Sequence, residues 1–144
     1  MYIDAQGLFS DAQALTATAA STNIVDLGSD RNIGVGEEMV VAIFLDVAAD
    51  DGDADETYSA AIETDDNASF SSAATLGTLT ITRGDVAGSR YTFLLPKDTT
   101  VERYLRVNFT LGGTTPSVTV TSFLIPAKGL DAYHSYPNGY TITG

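Results

Sequence analysis

The sequence has no cysteine, no tryptophan and a single histidine, His134. Without cysteine, the chain has no disulfide, no thiolate zinc site and no cysteine nucleophile. His134 lies between Tyr133 and Ser135, and no G-x-S-x-G motif accompanies it, so a serine–histidine catalytic pair is not indicated. The absence of tryptophan removes the aromatic platform common in sugar-processing sites. We therefore expect neither an enzyme nor a cofactor.

Basic residues are scarce, since 7 Lys and Arg face 19 Asp and Glu and the net charge is −12. The imbalance is concentrated: residues 1–66 hold 15 acidic residues and one basic residue, whereas residues 67–144 hold 4 and 6. A strongly acidic chain repels phosphate groups, so we do not expect a nucleic-acid partner. The acidic half either aids solubility or orients the molecule on a basic partner, and the sequence leaves both readings open.

Long apolar runs are also missing. The longest, residues 39–45, is too short to span a membrane, and the first fifteen residues lack the basic segment of a signal peptide. We expect a protein made in a cytoplasm without export and without a membrane partner. At 144 residues and 44% hydrophobic composition, the chain is long and apolar enough for one globular domain.

The clearest pattern covers residues 102–125, which we predict to form a β-hairpin. Apolar side chains alternate with polar ones, which is typical of a half-buried strand. On the first strand they are Leu105, Val107, Phe109 and Leu111, and on the second Val118, Val120 and Leu124, with Phe123 on the opposite face. Residues 112–116, GGTTP, separate the two runs with turn-forming residues.

The rest of the chain predicts an all-β fold of about eight short strands. Residues 39–47, MVVAIFLDV, are apolar on both faces and predict a central strand. Further strands are expected at 14–18, 23–27, 57–64, 75–82 and 89–95. Such a pattern favours an antiparallel β-sandwich of jelly-roll or immunoglobulin-like kind, and the long corner loops favour the jelly roll. We expect a sandwich at 12–125, an N-terminal arm at 1–11 and a C-terminal tail at 126–144.

Two short motifs suggest binding. Asp51, Asp53 and Asp55 alternate as in the first half of a calcium loop, although the sixth position is Glu56 instead of glycine and the twelfth is Ile62 instead of glutamate. The alternative is a solvated acidic turn. The RGD tripeptide at residues 83–85 is interpreted as an ordinary turn in which glycine supplies a positive φ.

The two ends carry the aromatic residues that we select as candidate contacts with a partner. They are Tyr2, Phe9, Tyr133, His134, Tyr136 and Tyr140. Tyrosine combines a large apolar area with a polar hydroxyl, which suits interfaces. The alternative is that the tail packs back on its own sandwich as an extra edge strand at residues 140–143.

Several stretches together resemble the small capsid cement (decoration) proteins of tailed bacteriophages, such as that of a Bordetella podophage. They are MYIDAQGLFSDAQALTATAAST, DADETY, IETDDNASFSSA and ERYLRVNFTLGGTTPSVTVTSFL. The resemblance runs nearly end to end, and its specificity comes from the number and order of the stretches. Agreement is weakest in the tail from Lys128.

The resemblance implies a jelly-roll virion protein on the capsid exterior, made in the cytoplasm of the host bacterium. It would bridge neighbouring major capsid proteins and form a homo-oligomer, with a dimer favoured and a trimer possible. The alternative is a calcium- or carbohydrate-binding β-sandwich module, for which the acidic loop is the only support.

Overall fold

The computed structural model describes residues 5–30, 36–97 and 101–131, and for Asp131 the backbone alone. The strands are β1 (Leu8–Leu15), β2 (Ala19–Ala20), β3 (Val25–Asp26), β4 (Met39–Val47), β5 (Thr57–Asp65), β6 (Ala74–Ile81), β7 (Arg90–Leu94), β8 (Tyr104–Gly112) and β9 (Val118–Pro126). A 3₁₀ turn (Ala5–Gly7) precedes β1, and a short helix, α1 (Ala127–Asp131), follows β9. No described helix has the length and apolar character to cross a membrane.

The strands form two antiparallel sheets that enclose one core. Their orders are β1-β9-β4-β7 and β2-β8-β5-β6, with β3 also paired to β8. β2 and β3 lie end to end along β8, since Ala19 pairs with Phe109 and Val25 with Leu105. Counted as one interrupted strand, they leave eight strand positions in the order of a jelly roll. The predicted all-β sandwich is therefore confirmed.

The predicted hairpin is wrong, although both of its strands exist. β8 pairs with β2, β3 and β5, whereas β9 pairs with β1 and β4 in the opposite sheet. The segment 113–117 therefore crosses from one sheet to the other. Val107 and Val120 are both fully buried in the same core, which they enter from opposite sides. Alternation indicates which residues face inward, but the same alternation serves two strands of one sheet or of two facing sheets.

β4 confirms the prediction of a central strand, with the predicted bounds. It lies between β9 and β7, and its two faces enter different apolar clusters. Val41, Ile43 and Leu45 face the main core between the sheets. Val40 and Ala42 face outward into a second cluster with Phe123, Ile125 and Leu130. Because β4 is covered on both faces, it has no polar alternation.

The predicted first strand at 14–18 lies too late in the chain. β1 begins at Leu8, and its pairing with β9 shifts register between Leu8 and Ser10 and again between Ser10 and Gln13. Ala12 has a φ of 46°, which only a few per cent of non-glycine residues adopt. These bulges interrupt the period of two, so the sequence pattern does not reveal the strand.

The predicted arm boundaries also change. The N-terminal arm was expected to extend to residue 11, but residues 8–11 belong to β1. Pro126, expected in the tail, is the last residue of β9. The tail then begins with α1, whose Leu130 is only 7% exposed because it packs on the outer face of the β1-β9-β4-β7 sheet.

Candidate interaction surface

Three loops meet at one end of the sandwich, which we call the loop end. They are the β4–β5 loop (48–56), the β6–β7 loop (82–89) and the β8–β9 crossing (113–117). The Ala49 amide donates to the Asp85 carbonyl at 3.0 Å, and the Gly84 amide donates to the Ala49 carbonyl at 2.9 Å. The Asp50 amide donates to the Ser117 carbonyl at 2.9 Å. Backbone hydrogen bonds therefore join the loops to one another.

Tyr58, near the start of β5, links two of these loops through hydrogen bonds of its side chain. Its side chain is 3% exposed, and its hydroxyl donates to the Asp50 carbonyl at 3.0 Å. The same oxygen accepts the Ser117 amide at 3.2 Å. Burial raises the pKa of Tyr58 above its usual value, so the hydroxyl keeps its proton and remains a donor.

The three aspartates of the calcium-loop pattern bind three different partners. Asp51 pairs with Arg83 at 3.0 Å, and Asp53 accepts the Thr115 hydroxyl at 3.1 Å. Asp55 accepts the Thr114 amide at 2.9 Å and the Thr114 hydroxyl at 3.0 Å.

The hydrogen bonds from Thr114 lower the pKa of Asp55. Within the described ranges, no group of three acidic, histidine or cysteine side chains is placed to hold a metal ion. The alternating aspartates thus serve contacts between loops, and the structure does not gather them around a common point.

Two further groups show why this loop keeps its shape. Glu56, which replaces the glycine of a calcium loop, is 2% exposed and accepts the Asp53 amide at 2.9 Å. That hydrogen bond lowers the pKa of Glu56. Gly113 has a φ of 92°, and a Cβ there would lie 2.6 Å from the Asp55 carbonyl oxygen. Only glycine fits this crossing without moving the backbone of the β4–β5 loop.

The RGD tripeptide belongs to the same end and contributes to its structure. Arg83 pairs with Asp51 and also donates to the Ala54 carbonyl, while Asp85 accepts the Tyr91 hydroxyl. Gly84 has a φ of 76°, which suits glycine in a turn. These contacts are consistent with the interpretation of the tripeptide as a turn.

The exposed surface of the loop end is acidic, with two apolar side chains among the carboxylates. Asp51, Asp53 and Asp55 are exposed beside the single arginine of the loops, Arg83. Val47 and Val86 are 57% and 69% exposed at the same end. Charge and exposed apolar area together make the loop end a candidate for contact with a protein that presents basic and apolar groups.

A second polar surface covers the outer face of the β2-β8-β5-β6 sheet. Arg106 on β8 pairs with Glu63 on β5 at 2.7 Å, and the Asn108 amide donates to the same carboxylate at 3.2 Å. The guanidinium lies 4.3 Å from the centroid of the Phe70 ring. The alternation of the sequence places Arg106 and Asn108 on the polar face of a strand and leaves open that they contact a partner, but nothing in the sequence places Glu63 opposite them.

Of the six residues selected at the chain ends as contacts with a partner, the structure describes Phe9 alone. Phe9 is fully buried in the main core, so the prediction that it contacts a partner is wrong. It follows Leu8 at the start of β1, where the bulges hide its inward orientation. Tyr2, Tyr133, His134, Tyr136 and Tyr140 lie outside the described residues.

Comparison with models of protein families gives a match. A family model described as Bbp16 matches residues 9–124, from the second residue of β1 to near the end of β9. The name of that family suggests a Bordetella phage protein and states no function. No curated protein matches the chain.

Proposed function

The chain belongs to the Bbp16 family, and from this premise we propose that it is a structural protein of a phage virion. In this proposal it acts as a cement, or decoration, protein that binds the outside of the capsid and bridges neighbouring major capsid proteins. The family match over residues 9–124 carries the proposal, because it covers nearly all of the stretches that resemble capsid cement proteins.

The rigidity of the loop end supports a mechanical role. Its carboxylates accept hydrogen bonds from neighbouring loops, and the buried Tyr58 joins two of those loops through its hydroxyl. A clamp between capsid subunits must transmit force without deforming, and such cross-linked loops resist deformation. Many copies on one shell act together, so each copy needs only modest affinity for the capsid.

The charge of the loop end supports a basic partner surface. We propose that the loop end faces the major capsid protein and that electrostatic attraction orients the molecule on the shell. Exposed charges are screened over about 8–10 Å at moderate salt, so attachment should weaken as the salt concentration rises. The proposal assigns the protein to the virion exterior as a homo-oligomer, after synthesis in the cytoplasm of the host bacterium, with neither nucleic acid nor membrane as partner.

The direct test adds purified protein to capsids that lack it. Co-sedimentation should show binding, and the decorated capsids should withstand a higher temperature than bare ones before they release their contents. Failure to bind, or binding without a gain in heat resistance, would overturn the proposed function.

A charge variant tests the orientation separately. Asp53→Asn removes one charge from the loop end, while its amide oxygen still accepts the Thr115 hydroxyl. Asp11→Asn removes the same charge from the exposed middle of β1. Asp53→Asn should reduce attachment, most clearly at low salt, and Asp11→Asn should not. Equal effects of the two variants would reject the loop end as the contact surface.

A further inference from the structure

We infer that β6 is the self-association surface, where two copies pair their β6 strands antiparallel about a two-fold axis. The two β2-β8-β5-β6 sheets then become one continuous sheet. The inference deepens the homo-oligomer of the proposed function, but it is argued from the chemistry of the sheet edges and can be tested without capsids.

Three of the four sheet edges carry features that prevent pairing with another chain. β1 has two register shifts and the exposed Asp11. β7 has five residues, begins at the exposed Arg90 and is followed closely by Pro96. The edge formed by β2 and β3 is interrupted between them, and it ends at Asp26, which pairs with Arg103 at 2.9 Å. Bulges, charges, proline and short length are the usual means by which edges are protected.

β6 lacks most of this protection. Its eight residues, ATLGTLTI, include no charged residue and no proline. Among the described residues, β6 is hydrogen-bonded to β5 alone. Its one register shift, at Leu76, leaves residues 77–81 in regular pairing. An edge strand presents unpaired N–H and C=O groups along its outer side, and residues 77–81 carry no charge, proline or register shift that would keep another strand away.

The edge is also held in place before any partner arrives. Gly77 packs so closely on β7 that a Cβ there would lie 2.2 Å from the Phe93 ring. Ile81 at the end of β6 is 2% exposed in the main core and pairs with Tyr58. A strand that is already ordered loses little conformational entropy on pairing, which favours association.

Symmetry and charge favour a second copy as the occupant. The segment Thr78-Leu79-Thr80 reads the same in both directions, so two antiparallel copies centred on Leu79 place threonine opposite threonine. Cross-strand threonine pairs stabilise antiparallel sheets. Leu79 is partly exposed at the edge and becomes covered by its counterpart. Two chains of net charge −12 repel each other, and an uncharged strand is where their backbones approach at least cost.

The test measures mass in solution by sedimentation equilibrium. The wild-type protein should have twice its chain mass of 15.1 kDa. The double variant Thr78→Lys, Thr80→Lys places two charges at exposed positions of β6 and should be a monomer with an unchanged circular dichroism spectrum. A matched control, Thr92→Lys with Thr110→Lys, adds two charges at exposed positions of β7 and β8 and should remain dimeric.

Engineered thiols provide a second measurement, because the chain has no cysteine of its own. A mixture of Thr78→Cys and Thr80→Cys proteins should form a disulfide-linked dimer on mild oxidation, since directly opposite residues of an antiparallel pair have Cβ atoms about 4.5–5.5 Å apart, close to the distance of about 3.5–4.5 Å across a disulfide. Thr92→Cys on β7 should not. A wild-type monomer or trimer, a β6 lysine variant that keeps the wild-type mass, or absence of the cross-link would each overturn the inference. Loss of capsid binding by a protein that still dimerises would count against the proposed function alone.

Discussion

Removal of one hydroxyl group, in Tyr58→Phe, should measurably loosen the loop end. The Tyr58 hydroxyl donates to the Asp50 carbonyl at 3.0 Å and accepts the Ser117 amide at 3.2 Å. The ring stays in the core, because the side chain is 3% exposed and phenylalanine has nearly the same shape. The substitution therefore removes two hydrogen bonds and leaves the packing of the strand intact.

The expected loss follows from these two bonds. Each contributes about 0.5–1.5 kcal/mol net, so the free energy of unfolding should fall by about 1–3 kcal/mol. For a chain near this length, 1 kcal/mol corresponds to about 2–4 °C in the melting temperature. Urea unfolding followed by circular dichroism measures the free energy, and a thermal scan measures the temperature shift.

Tyr104→Phe is the matched control. Tyr104 lies at the start of β8, only partly buried, and its ring packs 5.0 Å from the Arg103 guanidinium, a contact that phenylalanine retains. Its unfolding free energy should stay within about 0.5 kcal/mol of the wild type. If Tyr58→Phe lowers stability no more than Tyr104→Phe does, the hydroxyl does not hold the loops together and the reasoning about the loop end fails.

Two further predictions concern other parts of the sandwich. Gly77→Ala should lower the free energy of unfolding by about 1–3 kcal/mol in urea, because the added Cβ overlaps the Phe93 ring. Gly52→Ala is the control, since its Cβ would lie 3.4 Å from the nearest atom. Equal effects of the two substitutions would contradict the prediction. The Arg103 guanidinium lowers the pKa of Asp26 from 3.8 to about 2, so ionised Asp26 stabilises the folded state above pH 3.8 and this contribution is lost as the pH falls to about 2. Asp26→Asn should therefore be less stable than the wild type at neutral pH, and the difference between their urea midpoints should disappear as the pH falls from 3.8 to about 2. A difference in urea midpoint that does not depend on pH would argue against the ion pair.

The regularity of the backbone separates the strand that the sequence located correctly from the strand that it misplaced. β4 was located correctly because it is covered on both faces, so an unbroken apolar run marks it. β1 was placed too late because its bulges break the alternation, and Phe9 was therefore taken for a surface residue. A pattern of side chains reports burial reliably only where the backbone remains regular.

At the loop end, too, the sequence predicted the local feature and the fold decided its contacts. The spacing of Asp51, Asp53 and Asp55 correctly identifies a loop rich in carboxylates, but their partners lie about 30 to 60 residues away in sequence. Arg83 comes from the β6–β7 loop, and Thr114 and Thr115 come from the β8–β9 crossing. Whether an acidic loop binds calcium or binds its neighbouring loops depends on which donors the fold brings to it.

The sequence by itself determined the class of fold and the inward-facing residues of most strands. Burial of apolar side chains drives folding, and the two-residue period of buried side chains is visible in the sequence of each strand. Only the tertiary structure decided that residues 102–125 span both sheets instead of forming one hairpin, and that β6 forms an edge of its sheet among the described residues. The sheet to which a strand belongs depends on backbone hydrogen bonds to strands distant in the sequence. These bonds cannot be predicted from the residues of the strand, because nearly every residue offers the same backbone donor and acceptor.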